Sequence, residues 1–254
     1  MKRKIVQVPY STDLKDNLVK SKGPDVLISN YVNQPFKKIT PYPPTIEGWV
    51  DLSKEITKLS IDHPIWLAGE CTIAPGALGW LQNKFDSLHV LWLDAHGDLN
   101  TPDVSTSGIL SGMPLGWILG RFCPPKGSDI LKPIDKNNIT LCGIRDLDQN
   151  EREYIVRHNI FVTSEIVRVI ERIKNIALPL YIHIDLDVID PKENPGVSNP
   201  VEGGLSLLEI ITLIKYLVKQ STIAGVSISS YNFKEDIDKR GFQAVHRILK
   251  ELEV

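Results

Sequence analysis

The chain has 254 residues, which is long enough for one large hydrophobic core, and we expect a single domain over residues 1–254. Its 29 Lys and Arg residues nearly balance its 31 Asp and Glu residues, and the net charge of -2 excludes a broad basic surface for a nucleic-acid backbone. No apolar stretch is long enough to cross a bilayer. These features favour a small-molecule partner, with no nucleic acid and no membrane.

The cysteines and the start of the chain indicate the compartment. Cys71, Cys123 and Cys142 are odd in number, scattered and without CxxC spacing, which argues against a disulfide framework. The basic start of the chain is followed by an apolar run that is too short for a signal peptide. We therefore expect a cytoplasmic protein.

Short apolar runs alternate with longer amphipathic stretches along the chain. This alternation is typical of parallel strands connected by crossover helices, and it predicts an α/β fold. The predicted strands are residues 4–8, 64–67, 88–93, 138–141, 180–184 and 223–228. The predicted helices are residues 45–59, 206–219 and 238–252. Ser206, with Glu209 three residues later, gives the second of these helices the signature of a capping box.

Candidate metal ligands follow two of the predicted strands. The segment HVLWLDAHGDLNTP places Asp94, His96 and Asp98 at alternate positions directly after an apolar run. The segment LPLYIHIDLDVIDP ends in the same way with Asp185 and Asp187. The carboxyl ends of parallel strands lie along one edge of a sheet, where ligands usually bind. The two acidic clusters can therefore meet.

Four carboxylates packed together would repel one another and raise one another's pKa unless cations compensate for their charge. Two divalent ions would balance that charge. Carboxylates with an imidazole suit hard or borderline ions such as Mn(II), and a pair of such ions generates hydroxide near neutral pH. Asp and Asn residues after a strand also shape turns without binding any ligand. Because both clusters show the same alternation at strand ends, we favour a site for two metal ions.

Four motifs resemble those of the arginase/agmatinase family of ureohydrolases and occur in the family's order. They are DAHGDLN (94–100), GIRDLD (143–148), HIDLDVIDP (183–191) and VEGGLS (201–206). The resemblance implies a three-layer α/β/α fold around a central parallel sheet of about eight strands, commonly assembled into trimers or hexamers. It also implies a dinuclear manganese site that hydrolyses a guanidinium C–N bond. We therefore expect a homo-oligomer that binds two divalent ions, with Mn(II) the first choice.

The resemblance also implies roles for the clustered residues. Asp94 and Asp185 would bridge the two metals. Asp98 would complete one metal site, and His96 with Asp187 would complete the other. A hydroxide between the metals would attack the guanidinium carbon, with Asp98 accepting its hydrogen bond, and an amine and urea would be released.

Three further positions bear on the substrate. Asn100 and Ser107 resemble the positions that hold the α-carboxylate of an amino acid in arginases, and Asp148 resembles the position that faces its α-amino group. They favour arginine or an arginine-like amino acid over agmatine, which has no carboxylate. The alternative is that NTP and STSG, in the loop NTPDVSTSG, only shape that loop.

Cys71, Ser111 and Ser230 depart from the family pattern. Cys71, in AGECTIAPG, stands where the first metal motif has His, and a thiolate ligand there would shift the metal preference toward Zn, Fe or Ni. The alternative is an inert buried thiol. Ser111 stands where a His relays protons, and Ser230 stands where a carboxylate grips the guanidinium, a pairing that a hydroxyl does not reproduce. The alternative function is therefore a degenerate family member that binds metal or an amino acid without turnover.

His183 lies two positions before Asp185, so an extended strand points both side chains to the same side. An imidazole there would suit proton transfer at neutral pH, and we expect His183 to act beside Asp98 as an acid–base or orienting group. The alternative is a structural histidine. A nucleotide-binding enzyme is not supported, because no GxGxxG or GxxxxGK[ST] motif follows any predicted strand.

Overall fold

The computed structural model describes residues 3–13, 17–29, 36–127 and 129–253. Eight strands form its centre. They are β1 (Lys4–Val8), β2 (Phe36–Lys38), β3 (Pro64–Ala68), β4 (His89–Leu93), β5 (Ile139–Cys142), β6 (Phe161–Thr163), β7 (Leu180–Asp185) and β8 (Ile223–Ser229). They make one sheet in the order β2-β1-β3-β8-β7-β4-β5-β6, and each strand pairs with its neighbours in parallel.

Helices connect the strands. They are α1 (Asn17–Lys20), α2 (Gly23–Ile28), α3 (Ile46–Thr57), α4 (Ile73–Gln82), α5 (Pro114–Ile118), α6 (Gln149–Arg157), α7 (Ile166–Lys174), α8 (Leu207–Gln220) and α9 (Arg240–Glu251). The predicted capping box is present at the start of α8, where Ser206 and Glu209 each accept a hydrogen bond from the other's backbone N–H. Within the described ranges, no helix combines the length and apolar character that a membrane span requires.

All six predicted strands are present, and the two that the sequence pattern did not reveal lie at the edges of the sheet. The missed strands β2 and β6 have three residues each. The central strands β3, β4, β5 and β7 are buried along their whole length, which is why they appear in the sequence as continuous apolar runs. An edge strand has one neighbour and less need for such a run.

Successive residues of each strand pack into different layers. Tyr181 of β7 belongs to the hydrophobic cluster that includes α3, α4 and α5. Its neighbour Ile182 belongs to the cluster that includes α2, α7, α8 and α9. Helices therefore cover both faces of the sheet, as the predicted three-layer α/β/α fold requires.

The strand order places the carboxyl ends of β3, β8, β7 and β4 side by side in the middle of the sheet. From this middle, β1 and β2 extend in one direction, and β5 and β6 extend in the other. The chain therefore reverses its winding direction near these four strand ends. Such a switch point is where open α/β sheets usually bind ligands.

His89, buried in β4, makes the stability of the protein depend on pH, separately from the residues at these strand ends. Its Nε2 lies 2.9 Å from Thr140 Oγ1, and burial, with the charge of Arg172, lowers its pKa from 6.5 to about 4. Between these values the unfolded chain binds a proton that the folded chain does not, so stability is full above pH 6.5 and falls toward pH 4. Between pH 6.5 and pH 4, the free energy of unfolding should fall in both proteins. In His89→Gln we expect this fall to be smaller than in the wild type, by up to about 3 kcal/mol. Urea unfolding at pH 7 and pH 4 measures the difference, and equal losses would contradict the expectation.

Candidate metal centre

The loop after β4 brings three of the predicted ligands to the carboxyl edge of the sheet. Asp94 and Asp98 are buried, whereas His96 is partly exposed. The backbone N–H of His96 donates to Asp94 Oδ1 over 2.7 Å, which fixes that carboxylate. Asp98 has a φ of 50°, a left-handed conformation that is uncommon outside glycine and costs strain. All three side chains line one cavity.

The end of β7 supplies the second acidic cluster, which is tied directly to the first. The backbone N–H of Asp187 donates to Asp185 Oδ1 over 3.0 Å, and the backbone N–H of Ala95 donates to Asp187 Oδ1 over 3.0 Å. The second bond joins the β7 loop to the β4 loop. The structure therefore brings together the two clusters that are far apart in the sequence.

Arg145, in the motif GIRDLD, holds three loops together behind this edge. Its guanidinium donates to the backbone carbonyls of Gly143, Asp187 and Val201 at 2.9, 2.6 and 2.8 Å. Gly143 has a φ of 91°, and a Cβ there would lie 2.5 Å from Val188 Cγ2. The motifs GIRDLD and VEGGLS thus support the loop that carries Asp187. No sequence signal assigned this role to Arg145.

The possible ligand atoms form two overlapping groups. One group contains Cys71, Asp94, His183 and Asp185, and the other contains Asp94, His96 and Asp187. Within each group one ligand atom per residue lies within 4.8 Å of all the others. Asp94 belongs to both groups. This shared carboxylate is the arrangement that a pair of neighbouring metal ions needs.

Asp98 lies beside these groups and belongs to neither of those found among the described residues. Its Oδ2 is buried and has no hydrogen-bond partner in the part of the chain that the structure describes. A buried, unpartnered carboxylate oxygen is costly unless a cation or a hydrogen-bond donor approaches it. Asp98 is therefore available to a metal ion or a water molecule in the cavity.

The surroundings of the site change the pKa values of its four carboxyl groups. Burial and the neighbouring carboxylates raise the pKa of Asp94 and of Asp98 well above the ordinary value, and they raise the pKa of Asp185 to about 7. Burial alone would also raise the pKa of Asp187, but the hydrogen bond and charge of His96 lower it overall. Divalent cations would remove this cost by compensating for the negative charge. The donor set therefore fits the predicted metal ions.

His96 bridges the two acidic clusters. Its Nδ1 lies 3.0 Å from Asp187 Oδ2 and 3.6 Å from Asp94 Oδ1. Burial disfavours the charged ring, but the hydrogen bonds and charges of these two carboxylates outweigh it and raise the pKa of His96 to about 12. Without a metal ion the two carboxylates favour a protonated His96, and a metal ion bound by the ring would replace that proton.

Cys71 reaches the site from the loop after β3. Its Sγ donates to Asp185 Oδ2 over 2.8 Å and lies 3.8 Å from Asp94 Oδ2. Burial and the nearby carboxylates raise the pKa of the Cys71 thiol well above its usual value. A bound cation is what would stabilise the thiolate form, since metal ligands must be deprotonated.

Glu70 and Lys20 connect the N-terminal segment to the site. The Glu70 carboxylate accepts hydrogen bonds from the Thr12 backbone and hydroxyl and from the hydroxyls of Ser11 and Thr72. Lys20 lines the cavity, and its ammonium lies 2.9 Å from Asp13 Oδ2 in a largely buried ion pair. No motif surrounds Lys20, so sequence reasoning did not select it.

Asn100 and Asp148 also line the cavity, and they contact each other. Asn100 Nδ2 donates to Asp148 Oδ2 over 2.8 Å, and Asn150 donates to Asn100 Oδ1 over 2.9 Å. Buried Glu151 accepts from the backbone N–H groups of Leu99 and Asp148 at 2.8 and 2.9 Å. These bonds hold the two predicted substrate contacts in place. Sequence reasoning did not select Glu151 or Asn150.

His183 occupies a different environment from the other predicted site residues. It is fully buried, and it does not line the cavity within the described structure. Its Nδ1 lies 2.7 Å from Ser227 Oγ, and its ring stacks on Trp92 at a centroid distance of 3.8 Å. Burial lowers its pKa to about 3. The acid–base role of His183 stays a prediction, and its surroundings favour a neutral ring.

Comparison with known proteins identifies the family. The model described as "Arginase family" matches residues 39–253. The chain belongs to the arginase family. The arginase of Staphylococcus aureus is 35% identical over 201 residues, covering 71% of this chain and 65% of that protein. This chain thus matches just under two thirds of the length of that arginase.

Solved structures of the arginase family share the fold. The crystal structure of arginase from Bacillus subtilis superposes with a TM-score of 0.85 at 25% identity, covering 100% of this chain and 98% of that one. Formimidoylglutamase from Bacillus subtilis superposes with a TM-score of 0.79 at 19% identity, covering 100% of this chain and 88% of the other. The second likeness shows the fold alone.

The three positions that the sequence resemblance marks as departures from the family pattern all line the cavity. Cys71, Ser111 and Ser230 line it, together with Ser107 on its exposed rim. The Ser230 hydroxyl donates to Asp185 Oδ2. Ser230 therefore contacts a predicted metal ligand. At this position the cavity wall has a hydroxyl and not a carboxylate.

Proposed function

We propose that this arginase-family chain is a metal-dependent hydrolase that cleaves the guanidinium-type C–N bond of an arginine-like amino acid, releasing an amine and urea. The observation that carries the proposal is the pair of donor groups that share Asp94 beside one cavity. Asn100, Ser107 and Asp148 line the same cavity. The cavity thus combines a place for the reacting carbon with polar groups for an amino-acid end.

The metal ligands we propose are the carboxylates, the imidazole of His96 and the thiolate of Cys71. Asp94 and Asp185 would serve both ions; Cys71 and Asp98 would complete one site, and His96 and Asp187 the other. Mn(II) is the first choice, with Zn, Fe or Ni as alternatives because of Cys71. When bound, two such ions lower the pKa of a water molecule toward neutrality and stabilise the charge that develops on the substrate.

Asp98 is the proposed proton acceptor. Its buried Oδ2 has no partner among the described residues, so it is free to accept a hydrogen bond from the attacking water. Addition of the water oxygen to the guanidinium carbon and loss of the C–N bond then release the amine. The proton that Asp98 takes up is available to that departing nitrogen.

The amino-acid end of the substrate is oriented by three other residues that line the cavity, Asp148, Ser107 and Asn100. The Asp148 carboxylate pairs with the α-ammonium group, while the Ser107 hydroxyl and the Asn100 amide donate to the α-carboxylate. Asn100 already donates to Asp148 over 2.8 Å, so the two groups are positioned as a unit. Such prior orientation reduces the entropy cost of placing the reacting carbon.

We also propose that the protein acts in the cytoplasm as a homo-oligomer, a trimer or hexamer, as the family resemblance implies. The chain has no excess of basic residues for nucleic acid, with 29 Lys and Arg against 31 Asp and Glu. Size-exclusion chromatography with light scattering measures the assembly directly.

The experiment that tests the function is urea release after loading with Mn, Ni or Zn, with arginine, agmatine, guanidinobutyrate and guanidine as substrates. We expect urea from arginine, at a rate at least about tenfold above agmatine, because a hydrogen bond to a charged group contributes roughly 1.5 to 3 kcal/mol. Bound metal without urea from any of the four compounds would refute the proposed reaction.

Ser107→Ala tests recognition of the α-carboxylate. We expect the KM for arginine to rise about 10-fold to 100-fold, because the substitution removes a donor to a charged group. The KM for agmatine should not change, since agmatine has no carboxylate. Ser105→Ala is the matched control, because Ser105 is a nearby serine whose hydroxyl accepts from the Gly108 backbone. Equal effects on arginine and agmatine would argue against this role for Ser107.

A further inference from the structure

We infer that His183 is a metal ligand, which joins Cys71, Asp94 and Asp185 around one of the two ions. The inference rests on the metal centre proposed above and adds a ligand that none of the sequence motifs assigned. In this role His183 would hold a metal ion and would not transfer protons. One ring nitrogen of His183 lies within 4.8 Å of a ligand atom of each of the other three residues.

The register of the sheet explains why His183 lies next to the site. His183 pairs with Trp92 on β4 and with Ser227 on β8. Two residues further along β7, Asp185 pairs with Ser229. Side chains two apart on a strand share a face. The His183 ring therefore lies one layer below the carboxylates, on the same face of the sheet.

The two ring nitrogens of His183 have different surroundings. Nδ1 lies 2.7 Å from Ser227 Oγ, whereas Nε2 is buried and has no hydrogen-bond partner among the residues that the structure describes. Buried polar atoms in native proteins nearly always have a partner. A metal ion coordinated through Nε2 supplies one. The unpartnered Nε2 thus supports a metal ion at this place independently of the acidic cluster and of the cysteine.

The contacts of the ring hold it in one orientation, as metal-binding imidazoles require. Trp92 stacks on the His183 ring with an angle of 23° between the planes, and Trp92 Nε1 also donates to Asp94 Oδ2 over 3.1 Å. Ser227 Oγ lies 2.7 Å from Tyr181 Oη as well. A hydrogen bond from Nδ1 to such a partner fixes the tautomer that leaves Nε2 free for a metal.

The resulting ligand set determines which metal binds at this position. Cys71 and His183 supply sulfur and nitrogen beside the oxygens of Asp94 and Asp185, a mixture that suits Zn, Co or Ni better than Mn. The group of Asp94, His96 and Asp187 has two carboxylates and one imidazole. The two positions should therefore differ in metal preference, with the softer ion beside Cys71.

X-ray absorption at the cobalt edge of the wild-type protein, loaded with Co(II) alone, tests the inference without an activity assay. If His183 and His96 both bind, two cobalt ions share two imidazoles, an average of about one imidazole per cobalt. An average of about one half, with two ions bound, would leave His96 as the only histidine ligand and overturn the inference. Failure to bind cobalt at all would overturn the proposed metal centre together with it.

A pair of variants gives the second test. In His183→Asn we expect one of the two cobalt affinities to fall at least about 100-fold, and at a cobalt concentration that still loads two ions per chain we expect the imidazole average to drop to about one half. His89→Asn is the matched control, because His89 is also buried in a strand with one unpartnered ring nitrogen among the described residues. It should retain both cobalt ions. A weaker affinity in His183→Asn with an unchanged imidazole average at two bound ions per chain would show an indirect role and contradict ligation. If this variant does not fold, the wild-type imidazole count decides.

Discussion

Asp94→Asn is expected to lower turnover by roughly a thousandfold and to remove metal from both positions of the site. Asp94 is the residue that the two donor groups share, so its loss weakens both at once. Metal ions contribute several kcal/mol of charge stabilisation, and about 4 kcal/mol corresponds to a thousandfold in rate. Urea release and elemental analysis of the same preparation measure both effects.

The metal-free Asp94→Asn protein should be at least as stable as the metal-free wild type. Burial and neighbouring carboxylates raise the pKa of Asp94, so its ionised form destabilises the empty site. Asp190→Asn is the control, since half-buried Asp190 accepts from the backbone N–H groups of Lys192, Gly203 and Gly204 outside the donor groups. It should keep its metal. Wild-type metal content and turnover in Asp94→Asn would refute the shared role of this carboxylate.

Removal of metal by a strong chelator is expected to abolish turnover and to lower the melting temperature by roughly 10 °C. A ligand present at about a thousandfold its Kd stabilises the folded state by about 4 kcal/mol, and each kcal/mol shifts the melting temperature of a chain of this size by about 2–4 °C. Burial and neighbouring carboxylates raise the pKa of Asp94, Asp98 and Asp185, so their ionised forms are unfavourable when no metal ion is bound.

Differential scanning fluorimetry before chelation, after chelation and after return of Mn or Zn measures this effect. The melting temperature should recover with either ion, while turnover identifies the ion that supports catalysis. Asp94→Asn provides the control, because its melting temperature should not respond to chelator or metal. A wild-type protein that melts at the same temperature in all three states would contradict the proposed metal centre.

The sequence revealed the parts of the fold that have a short-range physical cause. The central strands appear as apolar runs because helices cover both faces of the sheet. The capping box at Ser206 and Glu209 can be detected in the sequence because its two residues are only three positions apart. Strands β2 and β6 were missed, since an edge strand of three residues has too little pattern to detect.

The candidate site shows the same division between local and long-range causes. The alternation of Asp94, His96 and Asp98 places three side chains beside one cavity, which sequence spacing alone suggested. Arg145 contacts carbonyls 42 and 56 positions away, and such contacts have no signature in the local sequence. The position of Lys20 at the cavity likewise has no signature in the local sequence. The burial of His183 depends on its neighbours in the sheet, so the sequence predicted its direction but not its surroundings.

We propose that this arginase-family chain holds two metal ions around Asp94, the residue that both donor groups share. Inductively coupled plasma mass spectrometry of the purified protein, before and after loading with Mn or Zn and removal of excess ion, tests it most directly. We predict about two divalent ions per chain after loading, as expected for a two-metal site. A protein that retains no ion after loading, while remaining folded, would refute the proposed metal centre.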